Sequence, residues 1–571
     1  MGFIEDFAMQ SVACKNEWKL YLWVTQLLSD TGGLLHAMES LLLGENLNQA
    51  AQFFNKLKEQ DAGYILNRVA VDLDKQYGIT GWVYKEKLDR IPSKLKLVFA
   101  FDETRYLLPS TEKPIDHYYW LQIILHMLAE VQYADYCIFA VVTDTMGKLS
   151  NFAPQGKHDP SLRVQSGSHE LYPPYYLLDT FDIHVHKAAL EPRTLNEAAK
   201  CDYVFRFGRP LCKASNGKTW VCTIKTMRFQ YGHCILDSRL HLDISPQSEL
   251  ATDLVSNYMR LMMYMSEDCQ TVVTASPSEP PLAMAAAAIM NHEDVRISNI
   301  LNHWIQGIRK GFVLRGYRGE TIAQFILLMA WDKHAAARSS PLSIKFAEPI
   351  IIYDYLRSLF VEKVFTDIWQ NIKDTELAKG WVRFNHFAGV SYTPTKHDLL
   401  EFAKRGAAVY CKECQRGVDL VIPVLIDGNL DVKSVTFILV QVKNHVTTTA
   451  YRVDATSKLT PAYMKMEDAA DCILPYLSLY MQIGTEGHRY NILSSHGQNR
   501  KIQISCALFG ISKELYGCLN LRQDDETLEV EKSLKELRTA SVDLMQLIEG
   551  EENKAIVRRM LPLYYPKRRK T

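Results

Sequence analysis

Apolar residues run without alternation through two short stretches, Leu95–Phe101 and Tyr136–Thr143. Strands in the middle of a parallel sheet read this way, because both faces are covered and neither needs polar positions. Between them Tyr118–Glu130 is amphipathic and long enough for a crossover helix, so the region has an α/β pattern. Upstream, apolar positions in Leu20–Val24, Leu41–Leu43 and Asn46–Lys58 fall on helix-like faces, which predicts a helical segment over residues 1–90. Downstream, prolines punctuate Pro277–Pro281, Leu282–Met290 resumes as helix, and a boundary is expected within 290–315. Glu320–Lys333 and Ile350–Asn371 read as helices.

A compact series follows. Lys396–Arg405 reads as helix, then Ala407–Cys411, Gly417–Ile426 and Val435–Lys443 as strands, Pro461–Ile483 as helix and Ile502–Phe509 as strand. The order is α-β-β-β-α-β, and the last stretch of chain is helical and charged. The predicted fold class is α/β, in four segments: a helical N-terminal segment (1–90), a degenerate P-loop NTPase-like domain built on a parallel sheet (91–300), a restriction-endonuclease-like domain (301–515) and a charged helical tail (516–571).

The 571 residues carry 65 basic and 65 acidic side chains. This neutrality excludes binding of nucleic acid by bulk charge, so any such site is a local patch. The 47% hydrophobic content argues against wholesale disorder. Twelve scattered cysteines fit buried reduced thiols rather than a disulfide framework. Glu5 and Asp6 stand where a secretory signal has a basic start, and no window reaches the ~20 apolar residues of a membrane helix, so neither a signal peptide nor a membrane partner is expected. The final Lys567-Arg568-Arg569-Lys570 cluster reads equally as a nuclear-import or phosphate-contacting tail and as a solvated terminus.

Two constellations carry candidate chemistry. The strand Leu97–Phe101 ends in Asp102-Glu103, the arrangement in which a P-loop ATPase holds Mg²⁺ with the Asp and activates water with the Glu. Thr143, at the end of the second strand, stands where a polar sensor of the γ-phosphate belongs. The bland alternative is an ordinary strand with an acidic turn. No glycine before Asp102 is followed by Lys, so the phosphate-cradling loop is missing and ATP binding stays open. Gly217-Lys218-Thr219 has the loop's ending, but it follows the strand and lacks the first glycine, and Asn216-Gly217 suits a hairpin turn.

The second constellation is Asp419, near the start of its strand, with Gln441 and Lys443 two apart on the next, hence on one face. If the strands pair, an acid, a second oxygen and an ammonium meet. Oxygen ligands suit Mg²⁺ or Mn²⁺, the metal polarises a phosphodiester, and the Lys neutralises developing charge. This is the layout of PD-(D/E)xK cores, many of which add a Glu from the preceding helix, where Glu401 sits. Gln441 replaces the usual acid, which predicts weaker metal binding. A plain hairpin with a surface lysine is the alternative. Cys411-x-x-Cys414 with His386 and His397 lacks the regular four-ligand spacing of zinc and reads as incidental thiols.

The chain resembles fungal members of the Crinkler-type effector family, in which a P-loop NTPase module precedes a restriction-endonuclease-like module. The resemblance rests on Val98–Glu103, Phe139–Thr145, Asn151–Pro154, Pro173–Tyr176, Phe207–Leu211, Ser278–Pro280, Gly316–Glu320, Gly417–Asp419 and Val440–Asn444, in that order. It implies that Gln-x-Lys is a tolerated nuclease motif, that Arg209 senses a γ-phosphate, and that the protein acts on DNA in the nucleus, its own or a host's. The absent phosphate loop and secretion header depart from the family pattern. The leading expectation is a Mg²⁺-dependent DNA endonuclease with a degenerate NTPase half. The alternatives are a catalytically inactive nuclear protein with a protein partner, and an NTPase using Gly217-Lys218-Thr219.

Overall fold

The structure, a computed structural model, describes residues 95–101 and 137–142, then 191–208, 271–311, 318–340, 345–444, 458–469, 474–494, 503–541 and 550–560, with shorter pieces between 182 and 266. The chain forms two compact units, Met1–Met146 and Gly147–Thr571.

In the first unit, β1 (Leu95–Phe101) and β2 (Cys137–Val142) pair in parallel, with Phe101 opposite Val142. The sequence's two unalternating runs are therefore neighbouring parallel strands, and Asp102 and Thr143 follow directly on their paired ends. Asp102, Glu103, Thr143, the expected crossover helix at Tyr118–Glu130 and the segment 1–90 lie outside the described residues.

In the second unit, two single-turn helices, Leu195–Ala198 and Cys201–Val204, precede a hairpin of β3 (Leu261–Met265) and β4 (Val272–Ala275). Three longer helices follow: α1 (Pro280–Met290), α2 (Ile297–Arg309) and α3 (Arg318–Ala336). Residues of all three share one core with the central sheet, among them Met290, Trp304, Phe325 and Ile438. The boundary expected within 290–315 falls inside this core, and the chain divides at 146/147 instead. The long helix expected over Ile350–Asn371 is a short strand β5 (Ile350–Ile351) and two helices, α4 (Ile352–Leu359) and α5 (Glu362–Ile372). Phe360, with extended backbone at ψ 158°, ends α4 and breaks the run.

The sheet has nine strands. The remaining ones are β6 (Gly380–Val382), β7 (His386–Gly389), β8 (Ala407–Tyr410), β9 (Leu420–Ile426), β10 (Val435–Lys443), β11 (Tyr476–Gln482), β12 (Arg489–Ser494) and β13 (Gln503–Phe509). Its path is β12-β13-β11-β10-β9-β6-β5, with β8 beside β9 and β7 beside β8. β9 and β10 are antiparallel, while β10, β11 and β13 run parallel. One edge of β9 is shared, because β8 pairs with Leu420 and Val421 and β6 with Val424–Ile426. Pro423, which cannot donate to a ladder, falls in the gap between them.

β9 is buried at every position. Its period of two divides it between cores: Leu420, Ile422 and Val424 join the α3 side, Val421 and Leu425 the other. That second core is closed by Leu399, Leu400 and Ala403 of α6 (Lys396–Arg405). Helix α6 starts on a capping box: Thr395 Oγ1 accepts from the Asp398 amide at 3.1 Å and Asp398 Oδ2 from the Thr395 amide at 2.8 Å. It ends on Gly406 at φ 78°, a left-handed position that favours glycine. Thr395→Ala is expected to lower unfolding stability by about 1 kcal/mol, read from a denaturant midpoint at unchanged slope.

The segment Pro461–Ile483, expected as one helix, is corrected by the structure. It holds a single turn, α7 (Pro461–Met464), and the buried strand β11 between β10 and β13. Lys465 stops the turn at φ 64°. Pro475 precedes the strand and would have interrupted any helix. The first four elements, α6-β8-β9-β10, keep the predicted order; beyond them the predicted helix gives way to the turn α7 and the strand β11, and the predicted strand Ile502–Phe509 is β13, reached only after β12. Helices α8 (Asp524–Thr539) and α9 (Glu551–Met560) follow; Val530, Leu534 and Leu537 of α8 enter the α3 core.

Candidate functional site

The site forms where β9 begins and β10 ends. Leu420 stands opposite Val440, so Asp419 is the residue just before β9 meets the last third of β10. The Asp419 amide donates to the Val440 carbonyl at 2.8 Å. Its carboxylate Oδ2 accepts from the Val442 amide at 2.6 Å, which ties the acid to the strand carrying Gln441 and Lys443. Among the described residues nothing donates to Asp419 Oδ1, and the side chains of Gln441 and Lys443 make no hydrogen bond or ion pair. Val440 and Val442 enter the α3 core, whereas Leu439 and Phe437 enter the α6 core. Alternation puts half-buried Gln441 and Lys443 on the α6 face. In the parallel pairing with β11, Gln441 stands beside Tyr480 and Lys443 beside Gln482. Tyr480 Oη donates to Gln482 Oε1 at 2.9 Å.

The structure adds one acid to which the sequence reading assigns no role. Glu320 lies in the first turn of α3, next to Gly319. Gly319 packs so closely on the end of β10 that a Cβ there would meet Asn444 Cβ at 3.0 Å and Val442 Cγ1 at 3.5 Å. Burial raises the Glu320 carboxyl above the usual range; its own backbone amide offsets this, the Asp419 charge adds to it, and Lys443 pulls it down. Asp419 is likewise raised by burial, against the Val442 hydrogen bond and the Lys443 charge. The charges of Asp419 and Lys443 thus act on Glu320, and the charge of Lys443 on Asp419. Gly316-Tyr317-Arg318-Gly319-Glu320 is visible in the sequence, but only contact with β10 gives its acid a place.

Glu401 lies on α6. Its Oε1 accepts from Lys404 Nζ at 2.7 Å on α6, and its charge reaches Tyr203. Glu401→Ala is expected to leave the chemistry of the β10 site unchanged and to cost under about 1 kcal/mol, since a partly exposed pair is worth little; activity and denaturant midpoint check this together. Arg209, Gly217–Thr219 and Lys567–Lys570 lie outside the described residues. Cys411 is buried with its thiol pushed up, and Cys414 is exposed. His386 bonds Ser278 and Asn385 instead of joining these thiols.

The residues fit a divalent cation in charge and in donor type. Two carboxylates that burial holds above their usual range share one ammonium, and a cation relieves that excess of negative charge. Among the described residues no group of three or more His, Cys, Asp and Glu is placed to hold a metal ion. Gln441, an amide rather than an acid, lies on the strand to which the Asp419 carboxylate is tied. Among the described residues no helix is long and apolar enough to cross a membrane.

Residues 230–525 match the family described as Domain of unknown function (DUF8736), and the chain belongs to that family. The matched stretch contains the whole nine-stranded sheet with Glu320, Asp419, Gln441 and Lys443, and ends as α8 begins. No curated protein and no solved structure matches the chain.

Proposed function

We propose that this protein is a Mg²⁺- or Mn²⁺-dependent phosphodiesterase that cuts DNA at the β9–β10 site. The observation that carries the reading is the hydrogen bond from the Val442 amide to Asp419 Oδ2, which ties the acid to the strand carrying Gln441 and Lys443, while the charges of Asp419 and Lys443 both act on Glu320. The α6-β8-β9-β10 order around them and the resemblance to Crinkler-type modules support it and favour DNA as the substrate.

Asp419 Oδ1, Glu320 and the Gln441 amide oxygen would hold the cation, which when bound polarises the scissile phosphate and lowers the pKa of water. The chain's own contributions are positional. The Val442 amide fixes the Asp419 carboxylate on β10. The Lys443 ammonium, with no partner among the described residues, is available to the phosphate oxygens as charge builds on them. The Tyr480–Gln482 hydrogen bond orders the neighbouring strand on the same face. With Gln441 in place of an acid the site carries one negative charge fewer, so metal binding is weak and Mn²⁺ supports turnover better than Mg²⁺. Residues 91–300 serve as a regulatory NTPase-like half, and Lys567–Lys570 directs the protein to the nucleus.

Purified protein with Mg²⁺ or Mn²⁺ nicks supercoiled plasmid, a chelator stops it, and Lys443→Ala slows it by about 100-fold or more. Equal nicking by both proteins overturns the reading. The Gln441 substitution favours one second reading, a non-catalytic nuclear scaffold. It predicts that neither protein nicks at any metal concentration and that a stable protein partner is captured by both.

A further inference from the structure

Ser278, His386 and Asn385 form a hydrogen-bonded chain that uses none of the residues assigned to the phosphodiesterase site. Ser278 Oγ lies 2.9 Å from His386 Nε2, and His386 Nδ1 lies 2.7 Å from Asn385 Oδ1. The bond directions follow from what each atom is able to donate. Asn385 Nδ2 donates to the Phe346 carbonyl at 3.2 Å, and a carbonyl only accepts, so the amide is oriented with Oδ1 toward the ring. Oδ1 also only accepts, so Nδ1 carries the hydrogen. In the neutral ring Nε2 then presents its lone pair to the Ser278 hydroxyl. A hydroxyl, a base and a group orienting the base stand in sequence at hydrogen-bonding distance, which is the arrangement that activates a serine nucleophile.

The fold holds the three rigidly. His386 opens β7 and Asn385 precedes it, both buried. Ser278 is half-buried, two residues ahead of α1. Arg405 Nε donates to the Ser278 carbonyl at 2.9 Å and clamps this loop. Burial, then the charges of Arg405, Arg239 and Arg383, hold the imidazole down at about 3. The ring is therefore neutral at physiological pH, with its lone pair available but weakly basic. Asn385 carries no charge to steady an imidazolium. Such a centre suits an ester whose leaving group needs little assistance.

We propose that Ser278, with His386 as base and Asn385 as positioning residue, is a nucleophile that accepts acyl or phosphonyl groups from activated esters. The Oγ bond to the carbonyl carbon or phosphorus forms as the Oγ proton passes to Nε2. The bond to the leaving group breaks, and that group departs with the bonding pair and takes up the proton from Nε2. Water added at the same centre, losing its proton to Nε2, releases the acid and restores the hydroxyl. The weak base makes capture slow and its product long-lived.

A fluorophosphonate tests this on the full-length protein: the Oγ–P bond forms, the P–F bond breaks, fluoride leaves, and the proton reaches solvent through Nε2. The expected result is one adduct on Ser278 of the native protein, located by peptide mass, and none at Ser278 after unfolding in urea. His386→Gln, which keeps a polar group beside Ser278 but takes no proton, is expected to label about 100-fold more slowly. Absence of a Ser278 adduct in native protein, or equal labelling of native and unfolded chains, overturns the proposal. Both readouts use the wild-type protein, so they decide the matter even if the variant does not fold. Labelling of Lys443→Ala at the wild-type rate separates this site from the nuclease reading.

Discussion

Asp419→Asn is expected to abolish the stabilisation that divalent cations give the fold. A cation that binds only the folded state stabilises it by about 2.7 kcal/mol at one hundred times its dissociation constant. Wild-type protein should therefore melt at a higher temperature as Mn²⁺ or Mg²⁺ is added, while Asp419→Asn and Glu320→Gln should not respond. Burial raises both carboxyls above their usual range. A group raised in the folded state contributes stability at pH below its unfolded value, and this is lost as pH rises through the folded value. In chelator, charging these buried acids costs the folded chain more than the unfolded one, so Glu320→Gln is expected to gain in stability on the wild type as pH rises from 4 to 8. Thermal melts at these two pH values, with metal and with chelator, check the four outcomes. A wild-type melt indifferent to divalent ions would remove the basis for the site.

Acid should unfold the second unit through His386. Its imidazole is held at about 3, against an ordinary 6.5, by burial first and then by Arg405, Arg239 and Arg383. The unfolded chain binds the proton and the folded one does not, so stability is full above pH 6.5 and is lost as pH falls from there to about 3. At about 1.36 kcal/mol per unit, that window is worth on the order of 5 kcal/mol. The groups facing the ring act in the same direction. Arg239 is engaged by Asp332 at 2.6 and 2.7 Å, and Arg383 by the carbonyls of Ala347, Ala403 and Lys404, so none of these cations moves aside for a charged ring. Urea midpoints measured from pH 7.5 down to pH 4 should fall steeply below pH 6.5. In His386→Gln the fall should be shallower across the same range. Parallel curves would mean that other groups carry the acid sensitivity.

The elements legible in the sequence are those whose pattern leaves one interpretation. Val435–Lys443 and Lys396–Arg405 have the predicted bounds. The first centres on the apolar run Phe437–Val440, too short for most helices, and the second is framed by Thr395 and Gly406. Tyr476–Gln482 is ambiguous in the sequence because an apolar run buried on both faces looks the same as a buried helix, and only its neighbours β10 and β13 decide between them. Pro475 is the local signal against a helix. The pairing of Asp419 with the Gln441–Lys443 strand is readable from two strands joined by a short connection. Glu320 is not, because it lies far upstream of Asp419 in the chain, and its role depends on Gly319 allowing α3 to touch β10. Glu401 is on a helix of the anticipated kind, but it faces Lys404. The bond from Ser278 to His386 joins residues 108 positions apart, and no spacing announces it.

Titration of the metal-free protein with Mn²⁺, followed by the loss of free-ion electron paramagnetic resonance signal, decides whether the β9–β10 site holds a cation. The expected result is a saturable ion on each chain, displaced by excess Mg²⁺, and lost in Asp419→Asn but retained in Glu401→Ala. Unchanged binding in Asp419→Asn, or no binding by the wild type at millimolar Mn²⁺, would contradict it.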